Sequence, residues 1–268
     1  MKLALVLVAA TAVAVRAAPA QQVIAVCSPG AVGTAADAQP ALDAFAAAAT
    51  AKSGVPLAAI YDETEAAGAA RLGTAGLALV SLPFFLAHEQ ALGLHARLTA
   101  VQKGRPELEH WSLVAKKGRV ATAAALAGLT IYANVAFAPA FVRGPVLGAF
   151  GALPASAKLV QSGSVLSSLR RAANGEAVAV ILDGPQEAAL ATLPFAAQLE
   201  VVARSAPMPA GVLATVDAHL PAKTWAALDP ALRALPADAL AGIQLERFAP
   251  LDDKALAAAR KAFADAAR

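Results

Sequence analysis

Four short clusters in this chain of 268 residues carry side chains able to do chemistry. Asp62, Glu63 and Glu65 follow Tyr61, and paired carboxylates can move protons or hold a cation. Adjacent side chains diverge, however, and no partner base stands near them. An acidic helix start favoured by the helix dipole accounts for them better. His88, Glu89 and His95 would need further converging ligands to hold zinc, and neither HExxH nor CxxC spacing occurs. Solvated residues on a helix face explain them, while His110 and His219 stand alone.

Ser162-Gly163-Ser164 opens a helix and could cradle a small acceptor group through backbone N–H donors. Ser164 as an N-cap explains the same residues equally well. Asp183-Gly184-Pro185-Gln186 follows a strand and also opens a helix, so Asp183 and Gln186 read either as ligand contacts or as a capped turn. Cys27 ends an apolar strand and reads as a small buried hydrophobe, not a nucleophile. Gly-x-Ser-x-Gly, the Walker loop and Gly-x-Gly-x-x-Gly after a strand are all missing. No catalytic residue, metal ligand or cofactor site is assigned, and the chain is read as a non-enzyme.

The elements that must position these clusters alternate between short apolar runs and alanine-rich helical stretches, the pattern of an α/β sheet protein. Residues 22–27, 56–61, 75–81 and 94–103 read as strands, with helices at 36–52, 64–72 and 84–92 between them. The polar segment Gly104 to His110 breaks this pattern. A second alternation follows, with strands at 111–116, 129–133, 158–161, 177–182 and 198–203. Its helices are expected at 122–127, 139–150, 164–173 and 185–192. Pro207 and Pro209 mark a second break, and helices near 222–235 and 252–267 form a tail. A tail returning to the first set makes a discontinuous two-lobed protein with a cleft between the lobes.

Composition narrows the classes. Lys2, the uncharged run Leu3 to Val15 and the small-x-small Ala18-Pro19-Ala20 read as a secretory signal peptide over residues 1–20. Its removal takes away Lys2 and Arg16, so the formal charge drops from +3 to +1 and no footprint for nucleic acid remains. One cysteine excludes an internal disulfide. Alanine supplies more than a quarter of the chain and inflates its apolar fraction without driving membrane insertion. Val120 to Val142 is uncharged and long enough to span a bilayer, but Gly128, Asn134 and Pro139 break it into helix, strand, turn and helix.

The order of GTAGLALVSLPFFL from Gly73, WSLVAKKG from Trp111, VRGPVLGAFG from Val142 and LRRAANGEAVAVILDGPQ from Leu169 resembles the phosphate/phosphonate-type periplasmic solute-binding proteins. The resemblance spans residues 22–268. It implies a type 2 periplasmic binding protein: two α/β lobes, each a mixed sheet flanked by helices, joined by two hinge strands. Lobe 1 would hold residues 21–107 and 206–268, and lobe 2 residues 108–205. It also implies delivery of a ligand to an inner-membrane ABC transporter permease. The protein is expected to be a periplasmic monomer with no nucleic-acid partner.

The anion site is where the sequence departs from that family. Phosphonate binders carry a Ser- and Thr-rich turn at a helix start in lobe 2. The matching stretch here, Asn134 to Phe141, has no hydroxyl, and Pro139 removes a backbone donor. A hydrated dianion would lose its water there without replacement bonds. The ligand is therefore expected to be neutral or largely apolar, held by Phe84, Phe85, Phe137 and Phe141. Ser28, Tyr61, Ser81 and Asn134 would be polar contacts, with Ser162, Asp183 and Gln186 as further candidates. Two alternatives stay open: a periplasmic carrier of a sterol- or hopanoid-like lipid, and a sensor or adaptor with a vestigial cleft.

Overall fold

The computed structural model describes residues 20–31 and 33–268. The expected signal peptide lies outside the described residues, apart from Ala20. The first half runs β1 (Gln22–Cys27), α1 (Ala35–Ser53), β2 (Leu57–Asp62), α2 (Glu65–Leu72), β3 (Leu77–Ser81), α3 (Leu82–Leu92) and β4 (Leu94–Gln102). The helices begin where the sequence offers caps. Thr34 and Asp37 form a reciprocal capping box at α1, and the Thr64 hydroxyl accepts from the Ala67 amide at α2.

After the two-residue strand β5 (Leu108–Glu109), the chain builds a second sheet. That part runs β6 (Ser112–Lys116), β7 (Thr130–Ala133), α4 (Pro139–Phe141), β8 (Lys158–Gln161), α5 (Val165–Ala173), β9 (Val178–Leu182), α6 (Gly184–Leu190) and β10 (Leu199–Arg204). It then passes β11 (Met208–Pro209) and re-enters the first sheet as β12 (Gly211–Val216). The end runs α7 (Ala222–Arg233), α8 (Ala237–Ala241), β13 (Leu245–Pro250) and α9 (Asp253–Ala267).

The first sheet has the order β13-β4-β12-β3-β1-β2, and the second β10-β6-β9-β7-β8. Parallel pairing of β1 with β2 and β3, and of β7 with β8 and β9, forms one half of each sheet. Strands β12 and β6 insert antiparallel to their neighbours. The chain crosses between sheets twice, and the two crossings pair with each other. Met208 lies opposite Glu109 and Pro209 opposite Leu108 in an antiparallel β5–β11 ribbon.

Three expectations are corrected here. The helix at 122–127 is a single 3-10 turn, Ala123–Leu126. The helix at 139–150 shrinks to α4 and a π-helical turn at Val142–Val146, because Pro145 supplies no N–H. The helical tail also conceals two strands, β12 and β13, of which β12 is buried at every residue. No helix among the described residues is long and apolar enough to cross a membrane.

One apolar cluster runs through both sheets' helical layers. Phe84, Phe85, Trp111, Phe141 and Leu256 all belong to it. Helix α9 fastens the layers together. Arg260 makes a two-point bond with Glu89 of α3 and stacks 5.5 Å above the Phe85 ring. A few residues on, α9 lies so close to the π-helical turn that a Cβ built on Gly144 would sit 2.1 Å from the Ala262 carbonyl oxygen.

Candidate functional site

A cavity of about 420 Å³ opens between the two sheets, at the ends of the strands nearest the β5–β11 ribbon. Strand ends of both lobes supply its walls. Ser28 follows β1, Ser81 ends β3, Asn134 follows β7, and Asp183 and Gln186 lie at the junction of β9 and α6. Parallel strands leave their carboxyl ends open to a crevice of this kind, so the turns after them line it together with strand residues such as Val26 and Leu79.

Of the residues named from sequence, Ser28, Ser81, Asn134, Asp183 and Gln186 line the cavity. Tyr61 does not; it packs beside the cluster of Phe45 and Phe248. Ser162 lies elsewhere too, its hydroxyl accepting from the Ser164 amide at 3.1 Å. The four phenylalanines are likewise absent from the walls. Phe84, Phe85 and Phe141 are completely buried, and Phe137 is half-buried against the same core. The physical reason is rotational: the first turn of α3 points its large side chains beneath the sheet, where Phe84 packs against the His88 ring with 4.6 Å between centroids. The cap residue Ser81 and Pro83 are left facing the cleft.

Sequence reasoning missed Arg105 and Glu109, which lie in the polar break and line the cavity from the hinge. The signal was there in Gly104 to His110, a charged run between two apolar sheets. Both residues also border a second groove, lined by Pro106, Leu108 and Pro185, so they stand between it and the cavity.

The polar atoms of the cavity are only partly matched. Asp183 and Gln186 satisfy one another: the Gln186 amide donates to Asp183 Oδ1 at 2.9 Å, and the Asp183 amide to Gln186 Oε1 at 3.1 Å. Ser81 Oγ, Asn134 Oδ1 and Glu109 Oε1 are buried and make no hydrogen bond within the protein. Such groups cost about 1–3 kcal/mol each unless something pairs with them. Glu109 is 5% exposed, and its ion-pair partner Arg105 stands 3.6 Å away. Burial pushes the Glu109 carboxyl above the usual glutamate range, Arg105 opposes the shift, and the charge of Asp183 adds to it. Burial raises Asp183 as well, against the Gln186 amide and Arg105.

This raised carboxyl has a consequence for stability. The folded chain holds the Glu109 proton more tightly than the unfolded chain, so its contribution is complete at acid pH and is lost as pH climbs through the window from the ordinary to the raised value. Glu109→Gln should therefore stabilise the empty protein at neutral pH. The gain should shrink toward zero as pH falls below the ordinary glutamate range. Urea melts of both proteins across that range check it; a variant less stable at neutral pH would contradict it.

The clusters outside the cleft have structural partners. Arg71 grips Asp62 at 2.5 and 2.8 Å, Glu63 accepts from the Ala35 amide, and Glu65 pairs with His88. His95 bonds to Asp217, which also accepts from Arg97 and Thr215. No group of three potential metal ligands occurs among the described residues. Cys27 is buried and its thiol is pushed up to about 12, chiefly by burial.

Known proteins place the fold. No protein-family profile matches the sequence, and no curated protein does either. Solved structures match over nearly the whole chain. XAC2383 from Xanthomonas citri, bound to ATP, superposes with a TM-score of 0.71 at 15% identity, over 92% of this chain and 98% of its own. The binding component of an ABC phosphonate transporter from Pseudomonas aeruginosa gives 0.64 at 15% identity, over 92% and 87%. PhnD1 from Prochlorococcus marinus, in complex with methylphosphonate, gives 0.59 at 13%, over 90% and 98%. The chain therefore has the two-lobed α/β fold of periplasmic solute-binding proteins. Two of these three neighbours are a phosphonate-transporter component and a protein in complex with methylphosphonate.

Proposed function

We propose that the protein is a periplasmic solute receptor that captures a compact polar ligand between its lobes and passes it to an inner-membrane ABC permease, acting as a monomer. One observation carries the reading: Ser81 Oγ, Asn134 Oδ1 and Glu109 Oε1, the buried side-chain atoms that lack a partner among the described residues, all belong to residues of one interlobe cavity. Polar atoms buried without partners in a pre-formed concave site are what a polar ligand would satisfy. The fold supports the receptor role, since the phosphonate-transporter component shares it.

The neutral or apolar ligand expected from sequence followed from the missing hydroxyls at Asn134 to Phe141, and it and the lipid carrier beside it were given phenylalanine walls. None of those side chains lines the cavity. Apolar walls remain in Val26, Leu79 and Trp111, but two carboxylates and a guanidinium share the space with them. A sterol would bury those charges without pairing them, at a cost of several kcal/mol. A phosphonate dianion fares little better, facing two carboxylates and only Arg105 in compensation. The sensor reading needs a filled cleft, and this one is open.

Native mass spectrometry of protein purified from its own host tests the proposal. A bound polar solute small enough for about 420 Å³ is expected. Ser81→Ala and Asn134→Ala should each weaken its capture about tenfold, the loss of one hydrogen bond to a buried group. A co-purified sterol or other lipid would overturn the reading.

A further inference from the structure

We infer that the ligand carries a protonated amine, seated at the hinge end of the cleft against Glu109 with Asp183 beside it. This rests on the receptor reading above and adds the charge class of the ligand to it. Glu109 is a carboxylate 5% exposed on the strand that joins the lobes. Its Oε1 has no hydrogen bond, and Arg105 at 3.6 Å is too far to give one. Arg105 keeps 30% of its side chain in solvent, so its charge is divided between water and the site. Asp183 lines the same cavity, next to Gly184, on which a Cβ would stand 3.4 Å from Glu109 Oε2. The cavity thus holds two carboxylates against one guanidinium, in surroundings where an uncompensated charge is expensive.

The remaining unpartnered atoms suit the same guest. Asn134 Oδ1 and Ser81 Oγ are both able to accept, and an ammonium offers three donors and no acceptor. These residues also come from different parts of the molecule. Ser81 belongs to the first sheet, Asn134 and Asp183 to the second, and Glu109 to the connecting ribbon. A cation among them is attracted by both lobes and by the hinge at once, so the interaction that binds it also holds the lobes together. Binding energy is then coupled to closure, as a hinge receptor requires.

A matched pair of probes tests this: ethanolamine and ethylene glycol, which differ in one amine for one hydroxyl. With ionic strength held constant by sodium chloride, ethanolamine should raise the thermal midpoint of the wild-type chain and ethylene glycol should not. Glu109→Gln should weaken ethanolamine binding by roughly 30-fold or more, the effect of removing one partner of a buried charge pair. Asp183→Asn, which keeps an oxygen for the Gln186 amide, should weaken it less. Equal responses to the two probes, no response of the wild-type chain to ethanolamine, or an unchanged response in Glu109→Gln would each overturn the inference. A host solute that is polar but has no basic nitrogen would overturn it while leaving the receptor reading standing; a bound lipid would remove both.

Discussion

Phe141→Ala should lower the free energy of unfolding by about 3–5 kcal/mol while leaving ligand affinity of the folded fraction nearly unchanged. Phe141 is completely buried in α4 and meets the Trp111 indole edge-on, with 5.6 Å between ring centroids. Truncation removes the transfer energy of the ring and leaves a cavity that its neighbours cannot readily fill. Helix α9 packs on one side of α4, and the π-helical turn continues from its end. Urea denaturation gives the stability change, and calorimetry on the folded variant gives the affinity. A small stability loss with abolished binding would return Phe141 to the cavity wall, the role the sequence suggested for it.

Gly30→Ala should weaken ligand capture by tenfold or more and leave cooperative folding intact. Gly30 sits in the loop after β1 with φ of +85°, and its neighbour across the cleft is the backbone of Asn134. A Cβ there would stand 2.6 Å from the Asn134 carbonyl oxygen, closer than atoms approach. The methyl group therefore props the lobes apart at the rim, and the closed, high-affinity arrangement pays for it. Backbone strain from a positive φ adds about 1 kcal/mol. Gly33→Ala separates the two effects, because its φ is +117° and nothing lies within 4 Å of the added carbon. Equal affinity losses in the two variants would show that strain alone is responsible and that the loops do not need to touch.

The succession of elements was readable because it depends on local patterns. Apolar runs such as QVIAVC and AVAVIL have no polar face to spend on solvent, so they become β1 and β9. DGPQ gives both backbone partners of a capping box at α6 within four residues. Strand β12 escaped notice because GVLATV is short, follows a proline-marked break, and has no alternation to betray it. Its strand state comes from β3 and β4, which flank it and whose edges it completes. The long apolar stretch 139–150 failed as a helix for the opposite reason: Pro145 sits inside a strongly apolar sequence and interrupts the ladder.

Local residue order sets the α/β class, the polar break containing Glu109, and the turn residues Ser28, Ser81, Asn134 and Asp183 at strand ends. Each of those follows from propensity, capping or punctuation within a few residues. Tertiary structure alone decided what these turns face. An aromatic at the start of a helix can point to core or cleft with the same local sequence, and the rotation of α3 and α4 against the sheets sent Phe84, Phe85 and Phe141 inward. It also decided that Glu109 is buried with no hydrogen bond to its Oε1, since the pairing of β5 with β11 joins segments about a hundred residues apart. Burial and charge balance are sums over neighbours that the chain brings together only by folding.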